Sequence, residues 1–218
     1  AYWKKILAHS NIEIFFMGRA PLVQVQRCLS AALQDLPRGE ADAYGTQLVY
    51  RQNPVQEYSE VMDVIQGKLV MGLRTPDTGA SEAYPALMMC HPTSGGPVTS
   101  KLFLNVREAR SLCYYANSGL EKFKGMMLVS AGIDCSQYET VCDAILAELE
   151  ACRRGEISEF EMESARRYLI SAFQAAEDAP SQLDDFYLGQ KLLGVEGNPE
   201  DLIARIRAVT IEQGAAPA

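Results

Sequence analysis

Hydrophobic positions change period several times along the chain, and each change marks an element. Tyr2–Ala8 has the spacing of a helix interior. Asn11–Met17 (NIEIFFM), dense in branched and aromatic residues and closed by Gly18, predicts a buried strand. Pro21–Leu36 follows as a helix, with Leu22, Val25, Leu29 and Leu33 at helical spacing. Glu57–Ile65 and Lys68–Thr75 flank Gln66-Gly67 and predict a hairpin. Ser81–Cys90 predicts a helix and Pro92–Gly96 a loop. Pro97 then opens a helix with Val98, Leu102 and Val106 on one stripe. Leu112–Leu120 and Gly125–Ile133 predict a second hairpin.

The last third is helical. Ser136/Glu139, Ser158/Glu161 and Thr210/Gln213 have the form of capping boxes, and Asn198-Pro199 that of a cap with proline at the first helical position. The helix from Ser136 places Tyr138, Val141, Cys142, Ile145, Leu149 and Cys152 on one face. The predicted order is β-α-β-β-α-α-β-β-α-α-α-α. Hairpins combined with helices, without strict alternation, predict an α+β fold of two layers: a mostly antiparallel sheet with helices packed on one face. The opening helix lacks a cap and the Thr210 box stands close to the last residue, so residues 1–218 read as a piece of a longer polypeptide.

Composition narrows the function classes. Apolar residues make up 48% of 218 positions, which suits a core-forming chain rather than a disordered one. A net charge of −8 argues against nucleic-acid and anionic-membrane partners, which are held through surplus Lys and Arg. No apolar run reaches the roughly 20 residues that span a bilayer. The six cysteines (28, 90, 113, 135, 142, 152) form no CxxC and read as reduced thiols, an expectation of a cytoplasmic protein.

Candidate chemistry is sparse. Only His9 and His91 are present, neither with a carboxylate or second histidine at metal-binding spacing, so no metal site and no cofactor is predicted within this chain. No GxSxG elbow occurs. Cys90-His91 are sequence neighbours, which point about 100° apart on a helix. A thiol enzyme using Cys90 or Cys113 would need a thiol of depressed pKa. Gly95-Gly96 let the backbone turn or approach a neighbour closely. The informative stretch is Thr99–Ala116. Arg107 ends one predicted helix and Tyr114 lies seven residues on, in the next strand. A guanidinium and a phenol brought together by the turn make a donor pair for a carbonyl or an oxyanion. Alternatively, Arg107 satisfies its helix C-terminus and Tyr114 packs in the sheet.

Ser100-Lys-Leu-Phe-Leu-Asn-Val-Arg-Glu108, Ser111-Leu-Cys-Tyr-Tyr115 and the strand Gly125–Gly132 resemble the C-terminal half of the insulinase/pitrilysin family of inverzincin peptidases, in its bacterial two-half subgroup. Weaker matches extend the resemblance over nearly the whole chain. It implies a single processing-peptidase-like half-domain over residues 1–218, which closes with an N-terminal homologous half around an unfolded peptide. It implies zinc in that other half, where the inverted His-x-x-Glu-His motif lies. Arg107 and Tyr114 are implied contacts to the substrate carbonyl, with Gly95, Gly96 and Ser100 as substrate-binding neighbours. A non-catalytic scaffold or peptide-binding subunit of the same family, pairing with a paralogous subunit, is the alternative.

Overall fold

In a computed structural model, residues 2–41, 45, 48 and 54–214 are described. The elements are α1 (Tyr2–His9), α2 (Leu22–Leu33), β1 (Gly67–Arg74), α3 (Tyr84–Gly95), a π-helical stretch Leu102–Glu108, β2 (Cys113–Glu121), β3 (Met126–Ile133), a 3-10 turn Cys135–Gln137, α4 (Tyr138–Arg153), α5 (Glu159–Glu177), α6 (Pro180–Leu193), α7 (Pro199–Ala208) and α8 (Ile211–Gly214). They fall into two compact units, one of Ala1–Thr46 with Ala176–Glu196, the other of Gln47–Ala175 with Gly197–Ala218.

In the first unit, Arg38 closes the end of α1, donating to the carbonyls of Leu7 (2.7 Å) and Ser10 (2.9 Å). A guanidinium is suited to a helix C-terminus, where free carbonyls and the dipole both attract it. Asn11–Met17 is not a strand: it pairs with no ladder among the described residues, and Ile14 and Phe16 are about half exposed. Branched and aromatic residues favour a strand only where a neighbouring edge is offered.

The second unit is built on a three-stranded antiparallel sheet of order β1-β3-β2. Gly67 of β1 faces Ile133 and Arg74 faces Met126, while Cys113 of β2 also faces Ile133. Leu69, Ala116, Met127, Val129, Ala131 and Ile133 bury one sheet face against Leu102 and Val106 of the π-helical stretch and Val141, Ala144 and Ile145 of α4. Lys68, Val70, Leu128, Tyr115 and Asn117 stay exposed. The α+β class with helices on one face is thus realised. A second core joins α3, α5 and α7 through Met89, Met162, Ala165, Leu169 and Ile206.

Several local expectations are corrected. Glu57–Ile65 forms no hairpin arm: the Val64 amide donates to the Met62 carbonyl (3.0 Å), a tight turn that breaks the extended run, and β1 pairs with β3 instead. Pro92–Gly96 is not a loop, because α3 runs through Pro92 to Gly95. The missing amide costs a helix interior about 3 kcal/mol, offset here by burial of Leu87–Cys90 and Pro92–Gly95. The helix expected from Pro97 begins only at Lys101, leaving Val98 exposed. Ser136 does not cap α4: Asp134 accepts from the Ser136 amide (2.9 Å) and hydroxyl (2.8 Å), and the 3-10 turn intervenes. Tyr138, expected on the buried face of α4, is exposed. The other two boxes form, Ser158 with Glu161 and Thr210 with Gln213, and the Asn198 cap proves to be a full box closed by Asp201.

Candidate functional site

Arg107 and Tyr114 are placed by the junction between the π-helical stretch and β2, within the second unit. Leu102 and Val106, fully buried, hold the stretch to the sheet. Its wide register is seen where the Ala109 amide donates to the Leu104 carbonyl (2.9 Å), five residues back. The chain then reverses: Ser111 donates to the Arg107 carbonyl (3.0 Å) and Leu112 to that of Val106 (3.2 Å). Ser111 adopts φ 51°, a left-handed conformation that a non-glycine residue enters only at some cost. Across from β3, Cys113 pairs with Ile133 but Tyr115 with Gly132, so Tyr114 is the extra residue of a β-bulge. Bulges re-aim a side chain and concentrate beside functional sites.

The Arg107 guanidinium lies 4.6 Å over the Phe103 ring, with Nη1 3.6 Å from Oε1 of Glu108. Its side chain is 38% exposed and Tyr114 is 64% exposed, so neither is walled off under a helix. Among the described residues the guanidinium bonds no backbone carbonyl, so it is not consumed by the helix end. Its charge reaches the neighbour of Tyr114: burial pushes the Cys113 thiol up, and Arg107 partly offsets this. One end of the sheet therefore offers solvent a guanidinium and a phenol within a short, reversed segment. Such donors can bind a carbonyl or carboxylate.

The other predicted residues are placed differently. Gly95 is buried at the end of α3, where a Cβ would come 2.8 Å from the Ser118 amide nitrogen and 3.0 Å from the Asn117 carbonyl carbon. It lets the helix lie against β2. Gly96 ends that helix; a Cβ there would meet Pro92 Cα at 2.8 Å. Ser100 is 1% exposed, its hydroxyl buried without a hydrogen-bond partner. Gly95 and Ser100 are thus buried, whereas Arg107 and Tyr114 reach solvent.

Two features escaped sequence reading. Phe103 under Arg107 is one. The other is an ion pair between Lys101 and Glu161 (2.8 Å), both side chains largely buried. Burial would raise the Glu161 pKa, but Lys101 and the Ser158 hydroxyl and amide outweigh it and hold the carboxylate below its usual range. Pairing across 60 positions leaves no local signal.

The thiol chemistry does not materialise at Cys90. Burial pushes that thiol up to about 12, and it donates to the carbonyls of Ala86 and Gly214 (both 3.5 Å) rather than meeting a base. His91 sits 3.1 Å from the Ser118 hydroxyl, its pKa lowered by burial. Among the described residues no three His, Cys, Asp or Glu side chains are grouped to hold a metal. A cavity of about 770 Å³ opens at the far end of the sheet, lined by Leu73, Leu87, Met127 and Leu149.

Comparison with known proteins assigns the family. The model described as "Peptidase M16 inactive domain" matches residues 1–169. The chain is 36% identical over 210 residues to "Probable inactive metalloprotease YmfF" of Bacillus subtilis, covering 96% of this chain and 49% of that protein. It is 30% identical over 154 residues to "Uncharacterized zinc protease Mb2805c" of Mycobacterium bovis, covering 69% and 35%. A crystal structure of a conserved protein from Enterococcus faecalis superposes with a TM-score of 0.85 at 33% identity, over 98% of this chain and 50% of that one. The chain spans half the length of these relatives or less. With a strongly matching fold, a specific motif from Ser100 to Tyr115 and a family model over most of its length, the chain belongs to the peptidase M16 inactive domain family.

Proposed function

We propose that this chain is the substrate-gripping half of a two-half M16 protein, closing with an N-terminal homologous half over an unfolded peptide. The observation that carries the reading is the exposed pair Arg107 and Tyr114, one ending the π-helical stretch and the other lifted from β2 by a bulge. A guanidinium presents in-plane donors to a peptide carbonyl, and the phenol adds one more. This reading assigns zinc, where the whole protein carries it, to the other half; among the described residues of this chain no three His, Cys, Asp or Glu side chains group to hold it.

The test is affinity for a labelled unstructured peptide, measured on the natural full-length protein. Arg107→Ala and Tyr114→Phe each weaken binding, by about 10-fold for the charge-assisted contact and less for the neutral one. Where the protein also cleaves the peptide, Arg107→Ala lowers turnover by about 10²–10³, as loss of an oxyanion donor does. Unchanged affinity and turnover in both variants contradict the reading.

A second reading has its own support. The relative at 36% identity is named as an inactive metalloprotease, which favours a whole protein that binds peptides or a paralogous subunit without hydrolysing them. Metal analysis of the full-length protein separates the two: one zinc per chain supports the peptidase, and none supports the non-catalytic subunit.

A further inference from the structure

We propose that Phe103 is a positioning residue for Arg107, carrying the guanidinium on its ring and fixing the direction in which the in-plane donors face a peptide backbone. The role in peptide capture rests on the reading above; the stacking itself does not. The two residues are four apart on the π-helical stretch, with the guanidinium carbon 4.6 Å from the ring centroid. Leu102 and Val106, the residues just before each of them, are fully buried and anchor the stretch. The base on which Phe103 and Arg107 stand is therefore held while their side chains reach outward.

Chemistry distinguishes the ring from the other neighbour. Glu108 approaches at 3.6 Å with its side chain 55% exposed. An exposed ion pair of that kind is weak and occupies the same edge donors that a substrate carbonyl needs. Stacking uses the flat face of the guanidinium and leaves the edge donors free. An arginine held in this way also loses less side-chain freedom when it binds.

The test combines two readouts on the natural full-length protein. Phe103→Leu keeps an apolar side chain of similar reach but removes the π face; Phe103→Tyr restores that face. In side-chain NMR, the Arg107 Cδ and Nε protons carry an upfield ring-current shift, lost in Phe103→Leu and kept in Phe103→Tyr. Peptide affinity falls about two- to five-fold in Phe103→Leu, the range of an exposed cation–π contact, and returns in Phe103→Tyr. In an Arg107→Ala background, Phe103→Leu has no further effect. Absence of the ring-current shift overturns the proposal, as does an equal loss of affinity from Phe103→Leu with and without Arg107. If the ring-current shift behaves as expected and Arg107→Ala leaves affinity unchanged, the positioning stands and the peptide-binding reading falls.

Discussion

Glu161 illustrates how far a residue's role depends on what folding brings to it. Read from sequence, it is only the partner of Ser158 in a capping box. In the fold it also pairs with Lys101 at 2.8 Å and bonds the Ser158 amide and hydroxyl at 2.7 Å. Glu161→Gln leaves the Lys101 ammonium largely buried without its counter-charge, and a loss of about 2 kcal/mol is expected in urea unfolding at neutral pH. The pH dependence has a definite sign. Because the folded carboxylate is held below its usual range, its stabilisation is present above the unfolded pKa and fades as pH falls through the folded one. The wild-type advantage over Glu161→Gln should therefore shrink below about pH 4.3. An advantage that grows on acidification contradicts this account. The thiols give a simpler check. Iodoacetamide at pH 7.5 should label exposed Cys28 and Cys135 readily and leave Cys90 unmodified, as read by peptide mass mapping; rapid labelling of Cys90 contradicts its burial.

At the scale of elements, what the sequence disclosed depended on how local the determining interactions are. Capping boxes at Ser158 and Thr210, and the cap at Asn198, were readable because the bonded partners lie three residues apart. The β2–β3 hairpin was readable for the same reason, its turn closed by Gly125 at φ 58°. Asn11–Met17 and Glu57–Ile65 were misread because strandedness needs a partner that no local pattern names. The π-helical register was invisible, since the heptad-like spacing of Leu102 and Val106 fits an α-helix equally well. Arg107 and Tyr114 were legible as residue types from the motif, whereas the bulge and the left-handed Ser111 that present them were not. Gly95 was correctly suspected of a close backbone approach, and its neighbour is β2. Gly95→Ala pushes a methyl into the backbone of Asn117 and Ser118, so destabilisation of about 2–3 kcal/mol is expected in urea unfolding. A neutral substitution would mean that α3 and β2 separate readily.

For the whole molecule, the family is that of the M16 peptidase inactive domain, and among the described residues no three His, Cys, Asp or Glu side chains are grouped to hold a metal. No helix among the described residues is long and apolar enough to cross a membrane. The relatives are about twice as long as this chain or longer, and the proposed role needs that additional length: one rim of donors grips a peptide only if something opposes it. The most direct measurement places the peptide itself. A photo-crosslinkable unstructured peptide is bound to the natural full-length protein, irradiated and mapped by mass spectrometry. The account predicts crosslinks within Phe103–Tyr115, lost together with affinity in Arg107→Ala. Crosslinks that fall only elsewhere, or that persist in Arg107→Ala, would contradict it.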